Sequence, residues 1–173
     1  MTVSVPSSPT TDPPDQTDRP AHDDTPVIKS VRASGSWQGS MATAVSIREF
    51  SFVSDEPVAV GGSDTAPTPM EIVAGAVNAC TTVVIEQVAG ELGITLGAID
   101  TETIAHLDVR GFRGTADVPA HFLDYALHIL IASDASEAHQ RALQRAVEKR
   151  SPAISLIRAA SVPLEWRWEF RRR

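Results

Sequence analysis

The chain is short of several things at once, and each shortage removes a class of function. It holds one cysteine, Cys80. A single cysteine closes no intramolecular disulfide and forms no cysteine cluster, which suits a reducing compartment. The five histidines, at positions 22, 106, 121, 128 and 139, show no paired ligand spacing, so no structural zinc site is expected. No cofactor is expected either. Gly61 and Gly62 lack the spacing of a dinucleotide fingerprint and have no nearby lysine for a phosphate loop, which leaves a turn as their simplest role. Positive charge is scarce, and a net charge of -7 argues against a general nucleic-acid binder. The polar N-terminus has neither the charged start nor the apolar run of a secretory signal. No stretch elsewhere supplies about 20 uninterrupted apolar residues. The expectation is a soluble, cytoplasmic protein with no membrane and no nucleic-acid partner.

Proline is unevenly placed. Residues 1–27, MTVSVPSSPTTDPPDQTDRPAHDDTPV, carry six of the 12 prolines, and five aspartates there face the single cation Arg19. Such a segment gains too little apolar burial to offset its ordering entropy, so residues 1–27 are expected to be a disordered tail. Residues 28–173 are expected to form one domain, long enough for a real core. With the tail set aside, that domain is only mildly acidic.

Within it, IKSVRASGSW and MATAVSIREFSFVSDEP read as strand-forming segments joined by a turn around Gly35 to Gly39. The turn-rich VGGSDTAPTP then leads to a helix start on which several signals agree. Thr68 is placed as N-cap, Pro69 as first helical residue, and Glu71 three residues after the cap completes a capping box. From Glu71 to Glu86 there is no charge, so the helix over about 69–92 is apolar or small on every side and requires burial. Gly93 supplies its stop. Two strands follow: TETIAHLDVR, with Ala105, Leu107 and Val109 on one face, and FLDYALHILIAS, with Tyr125, Leu127, Ile129 and Ile131 on one face. Ser136 caps an amphipathic helix whose stripe is Ala142, Leu143, Ala146 and Val147; Pro152 ends it, and Ser151 is placed to cap a shorter helix, PAISLIRAA. In the basic ending EWRWEFRRR, Leu164, Trp166, Trp168 and Phe170 alternate with polar residues, the period of a half-buried strand rather than a base-stacking surface. Strands, a buried helix, strands, two helices and a strand make an α+β class.

The residues with chemistry to offer are few. Cys80 suits either of two roles, a small buried hydrophobe or a reactive thiol. It lies about three turns into its helix, too far for the N-terminal dipole to act strongly, so any activating charge must come from elsewhere in the fold. Glu71 is the only acid near the helix start, and its capping role accounts for it without chemistry; nine residues at about 100° each put it opposite Cys80 on a straight helix. His106 shares a strand face with Asp108 and Arg110, which fits exposure. His128 suits burial beside a partner.

FVSDEPVAVGGSDTAPTPMEIVAGAVNAC, DVRGFRGTADVP and VEKRSPAISLI together resemble the OsmC/Ohr family, in particular its OsmC-like branch, over about residues 30–170. The resemblance implies an OsmC-like fold, with antiparallel sheets packed around a buried central helix. It also implies an intertwined homodimer whose central helices meet at the interface and whose active sites are shared between subunits. In the family's peroxidases a cysteine on the central helix attacks an organic hydroperoxide, an arginine and a glutamate hold and activate it, and a second cysteine resolves the sulfenic acid. Cys80 matches the attacking position. Ser151, before Pro152, stands at the resolving position, and serine closes no disulfide. The glutamate of those enzymes directly follows the helix-start proline, where this chain has Met70, with Glu71 one residue later. Arg32 and Arg48 lie in the first hairpin region without matching a motif. The candidate catalytic residues are therefore Cys80 and Glu71, in a one-cysteine cycle completed by an external thiol reductant. Two rival expectations are a non-enzymatic dimer that binds a small apolar or thiol-containing ligand and a redox sensor.

Overall fold

The computed structural model describes residues 25–173. Most of the expected tail therefore lies outside the described residues. Residues 25–32 carry neither helix nor strand and are exposed, and residues from Ala33 to Arg173 form one compact unit.

The unit opens with an antiparallel meander of β1 (Ser34–Gly39), β2 (Ala42–Ile47) and β3 (Phe50–Ser54), in that spatial order. The expected single hairpin is thus two. Its first turn is at Ser40 and Met41, past the glycines, with φ of 44° and 71°; the second is at Arg48, φ 56°. Tight hairpin turns demand the left-handed region, and Gly or Asn normally advertises it. Here Ser-Met and Arg-Glu occupy the turns, so the sequence carries no such sign.

Residues 55–68 carry the chain to α1 (Pro69–Glu91), which begins with the expected capping box at Thr68 and Glu71. Gly93, in the left-handed region at φ 65°, ends it. The second sheet follows, with β4 (Ile99–Leu107), α2 (Val109–Arg113), β5 (Phe122–Ala132), α3 (Glu137–Arg150), α4 (Pro152–Ala159) and β6 (Leu164–Arg171). Its order is β4-β5-β6, with β4 antiparallel and β6 parallel to the central β5. β4 stops earlier than its pattern suggests. The Asp108 carboxylate accepts from the Arg110 amide at 2.9 Å and starts α2, so Val109 is helical and leaves the row of Ala105 and Leu107. An aspartate two residues before a would-be strand end is an N-cap signal.

The core lies between this sheet and the helices. Ile85 of α1, Leu127, Ile129 and Ile131 of β5, Leu143 and Val147 of α3 and Ile154 of α4 are all fully buried, each worth roughly 1.5–3 kcal/mol of transfer free energy. Trp166, Trp168 and Phe170 line β6 in a stacked row, centroids 5.6 and 6.4 Å apart. The alternation of the C-terminal strand is therefore packing.

α1 is long and apolar enough to cross a membrane by length and composition, yet Val77, Thr81, Val84, Ile85, Val88 and Ala89 bury one side of it in the core. That side meets β4, α3 and α4. The burial expected all round is thus met on one side. Val73 is 42% and Val83 62% exposed on the other. The meander shows the same shortage of cover, with Trp37 at 77% and Phe50 at 58% exposure.

Candidate functional site

Cys80 sits half-buried on the uncovered side of α1, as a free thiol. Val73, Ala76, Cys80 and Val83 follow one another at helical spacing, so the sulfur lies midway along a stripe of small and apolar side chains. The stripe carries no charge between Glu71 and Glu86. Among the described residues, the sulfur has no hydrogen-bond donor within the chain.

Glu71 is elsewhere. Its carboxylate accepts from the Thr68 amide at 2.7 Å, and its own amide donates to Thr68 Oγ1 at 3.3 Å. α1 runs unbroken between it and Cys80, a rise of about 13 Å on the opposite side of the helix. Glu71 is committed to the cap, and the chain does not bring the two together. Of the two arginines considered, Arg48 lays its guanidinium over the Phe50 ring, 4.9 Å from the centroid, a cation–π contact at the meander's second turn. Arg32 precedes β1 in the stretch without helix or strand.

Ser151 is fully buried at the junction of α3 and α4. Its main chain continues both helices, accepting from the Ser155 amide at 3.0 Å. The expected side-chain cap is absent, and its hydroxyl has no partner. Thr81, next to Cys80 but on the core side, likewise has a buried hydroxyl without a partner.

Two polar assemblies around α1 were not singled out by sequence reasoning. The first shapes the approach to the helix. Asp55 is fully buried, and its carboxylate accepts from the amides of Glu56 (2.8 Å), Ser63 (3.1 Å) and Thr65 (3.1 Å) and from the Thr65 hydroxyl (2.9 Å). The Thr65 and Glu56 amides, foremost, hold its pKa below the ordinary carboxylate value, with burial opposing them. The loop closes so tightly that a Cβ on Gly62 would lie 1.8 Å from the Glu56 carbonyl oxygen. The turn residues announce a loop; the one carboxylate that organises it has no local pattern.

The second lies beneath α1. Thr103 Oγ1 of β4 donates to Asn78 Oδ1 at 2.5 Å, and Tyr125 of β5 donates to the Ala74 carbonyl at 3.3 Å. The two hydroxyls are themselves 3.3 Å apart. Burial raises the Tyr125 pKa, and the Thr103 contact opposes that rise. Period-two patterning put Tyr125 on one face of its strand without showing that it meets the helix, and Thr103 was not singled out.

His106 Nδ1 is 2.7 Å from Asp124 and exposed; His128, for which burial was an option, is part exposed with Nε2 3.5 Å from Glu169. Among the described residues no three His, Cys, Asp or Glu side chains gather as a metal site. The chemistry on offer is that of a soft nucleophile presented on an apolar face.

Comparison with solved structures finds the same architecture repeatedly. An OsmC-like protein from Mycoplasma pneumoniae matches with a TM-score of 0.70 at 16% identity, covering 84% of this chain and 99% of the other. An organic hydroperoxide resistance protein OsmC from Legionella pneumophila matches at 0.61 and 16%, covering 83% and 99%. An organic hydroperoxide resistance protein from Elizabethkingia anophelis matches at 0.64 and 15%, covering 84% and 99%. At these identities the likeness speaks for the fold. A comparison with curated proteins found no match. The sequence model of the family described as OsmC-like protein matches residues 61–167, from the Gly61-Gly62 turn through α1, Cys80 and Ser151 to the last strand. That span is well over half of the 173 residues, and the chain belongs to the OsmC-like protein family.

Proposed function

We propose that this protein reduces organic hydroperoxides as a homodimer, with Cys80 as the nucleophile and an external thiol as the reductant. The observation that carries the proposal is the position of Cys80 midway along the apolar side of α1 that its own chain leaves uncovered. A second copy of the chain is the natural cover for that side and for Trp37 and Phe50 of the meander, since exposed apolar surface of this extent marks an interaction face. A cleft at such an interface favours an alkyl or acyl hydroperoxide over the small, polar hydrogen peroxide. The hydroperoxide resistance proteins among the structural neighbours add support at the level of family.

The cycle balances with one sulfur. The Cys80 thiolate attacks the outer oxygen of ROOH, the O–O bond breaks, and the leaving alkoxide takes a proton to become ROH. Cys80 is then a sulfenic acid. One reductant thiol condenses with it to a mixed disulfide and water. A second thiol attacks that disulfide, restoring Cys80 and releasing the oxidised reductant as its own disulfide. Ser151 takes no part. Replacing Cys80 by Ser should abolish thiol-dependent consumption of an organic hydroperoxide, whereas consumption at the parental rate by C80S removes the proposal.

One observation favours a second reading, a dimer that binds a small apolar ligand without turnover. The Glu71 carboxylate is spent on the helix cap and the Arg48 guanidinium stacks on Phe50, so neither of these two groups is free to help activate the thiol within one chain. On that reading C80S and the parent bind the ligand alike, and neither consumes peroxide.

A further inference from the structure

α1 has an unusual freedom. From Ile72 to Ile85 it is uncharged and apolar or small on most sides, so over this stretch hydrophobic burial alone gives little preference for which side meets the sheet; beyond it Glu86, Gln87 and Glu91 are exposed and Glu91 pairs with Arg150 of α3, which favours the observed side. Valines lie on both sides, Val77 and Val84 in the core and Val73 and Val83 outside it. A turn of the helix about its axis would exchange one apolar row for another. It would also carry Cys80 off the uncovered side.

Polar contacts have no such freedom. Of the polar side chains between Glu71 and Glu86, Thr82 turns back to the Asn78 carbonyl at 3.1 Å and Thr81 has no partner. Only Asn78, among them, bonds another element, taking the Thr103 hydroxyl at 2.5 Å. Four residues earlier, the Ala74 carbonyl accepts from Tyr125 at 3.3 Å. Asn78 and Ala74 are one helical turn apart, so the two contacts grip the same side of α1. The grip is stiff on the sheet side. Tyr125 is 1% exposed and packs edge-on against Phe122 at 5.5 Å, while Thr103 and Tyr125 lie on paired strands. Their hydroxyls are 3.3 Å apart.

We propose that Asn78, Thr103 and Tyr125 form a rotational pin for α1, and that they are positioning residues for Cys80: together with the Glu91–Arg150 pair at the far end of the helix, they fix which side of its uncharged stretch faces outward. The proposal deepens the functional reading and rests on it for its catalytic consequence, but its test reads only where the thiol is. The probe is alkylation of Cys80 by an apolar maleimide in the intact, folded protein. Thr103→Val removes the donor to Asn78 while keeping a β-branched strand residue. The expected result is a change of more than about twofold in the alkylation rate, the low end of what members of one hydrogen-bond network exert on each other, with the rate restored by Thr103→Ser. A merely structural role would lower the melting temperature and leave the rate of the folded protein where it was. A folded Thr103→Val protein whose rate stays within about twofold of the parent overturns the pin. If Thr103→Val does not fold, the same criterion is applied to Tyr125→Phe, which keeps the ring and its packing. Failure of the reductase proposal is separate, because a parent protein that alkylates but consumes no hydroperoxide says nothing against the pin.

Discussion

Replacing Thr81 by valine should make this protein more stable. Thr81 is fully buried among Val77, Val84 and Ile85 on the core side of α1, and its hydroxyl has no partner. Threonine more often returns its hydroxyl to a carbonyl one turn earlier, as Thr82 does to Asn78 at 3.1 Å. Thr81 therefore bears the desolvation of a polar group without compensation, about 1–3 kcal/mol. Valine has the same branching and nearly the same helix propensity, so the exchange isolates the hydroxyl. Discounting for relaxation around the site, the gain is about 1–2 kcal/mol, or roughly 2–8 °C in melting temperature for a chain of this size. Urea titration of parent and variant at one fixed protein concentration is the assay, because the stability of the proposed dimer would depend on concentration. The midpoint should rise with the slope unchanged. A loss of about 1 kcal/mol would mean that the hydroxyl is bonded in the folded protein, and the rotation of α1 described above would then be wrong.

The loop ahead of α1 gives two more expectations. The Asp55 pKa is held below its ordinary value by amides of Thr65, Glu56 and Ser63. A carboxyl lowered on folding contributes stability that is fully present above its unfolded value of about 4 and is lost as pH falls through the lower folded value. Asp55→Asn should therefore be less stable than the parent at neutral pH, and acid unfolding curves should show the gap narrowing as pH falls below about 4; a constant gap would mean that the amide grip does not depend on charge. Gly62→Ala places a Cβ against the Glu56 carbonyl and should cost at least about 2 kcal/mol by thermal scanning, whereas a neutral result would show that the loop is not closed as described.

The legible parts of this fold were those with a strong local period or cap. The box at Thr68 and Glu71, the inward row of β5, the stripe of α3 and the alternation of Leu164 to Phe170 all follow from side-chain spacing, and each stands where spacing put it. The turns at Ser40-Met41 and Arg48-Glu49 were illegible because the strands, not the turn residues, impose their backbone. Val109 left its strand because Asp108 found an amide. At the site, Cys80 was marked by being the only cysteine and by the family resemblance. Its surroundings were not, because Asn78, Thr103 and Tyr125 come together from three elements, and Asp55 acts across ten residues. The uncharged stretch of α1 conceals its own rotation, and only the C-terminal half, with Val84, Ile85, Val88 and Ala89 set against Glu86, Gln87 and Glu91, marks the buried side.

The central claim is that Cys80 takes an oxygen atom from an organic hydroperoxide. The most direct measurement is intact-mass spectrometry of the full-length protein after one equivalent of an alkyl hydroperoxide, with a sulfenic-acid-selective dione present and no reductant. One dione adduct per chain is expected, located at Cys80, with one equivalent of the corresponding alcohol released. An unmodified protein beside intact hydroperoxide would contradict the claim.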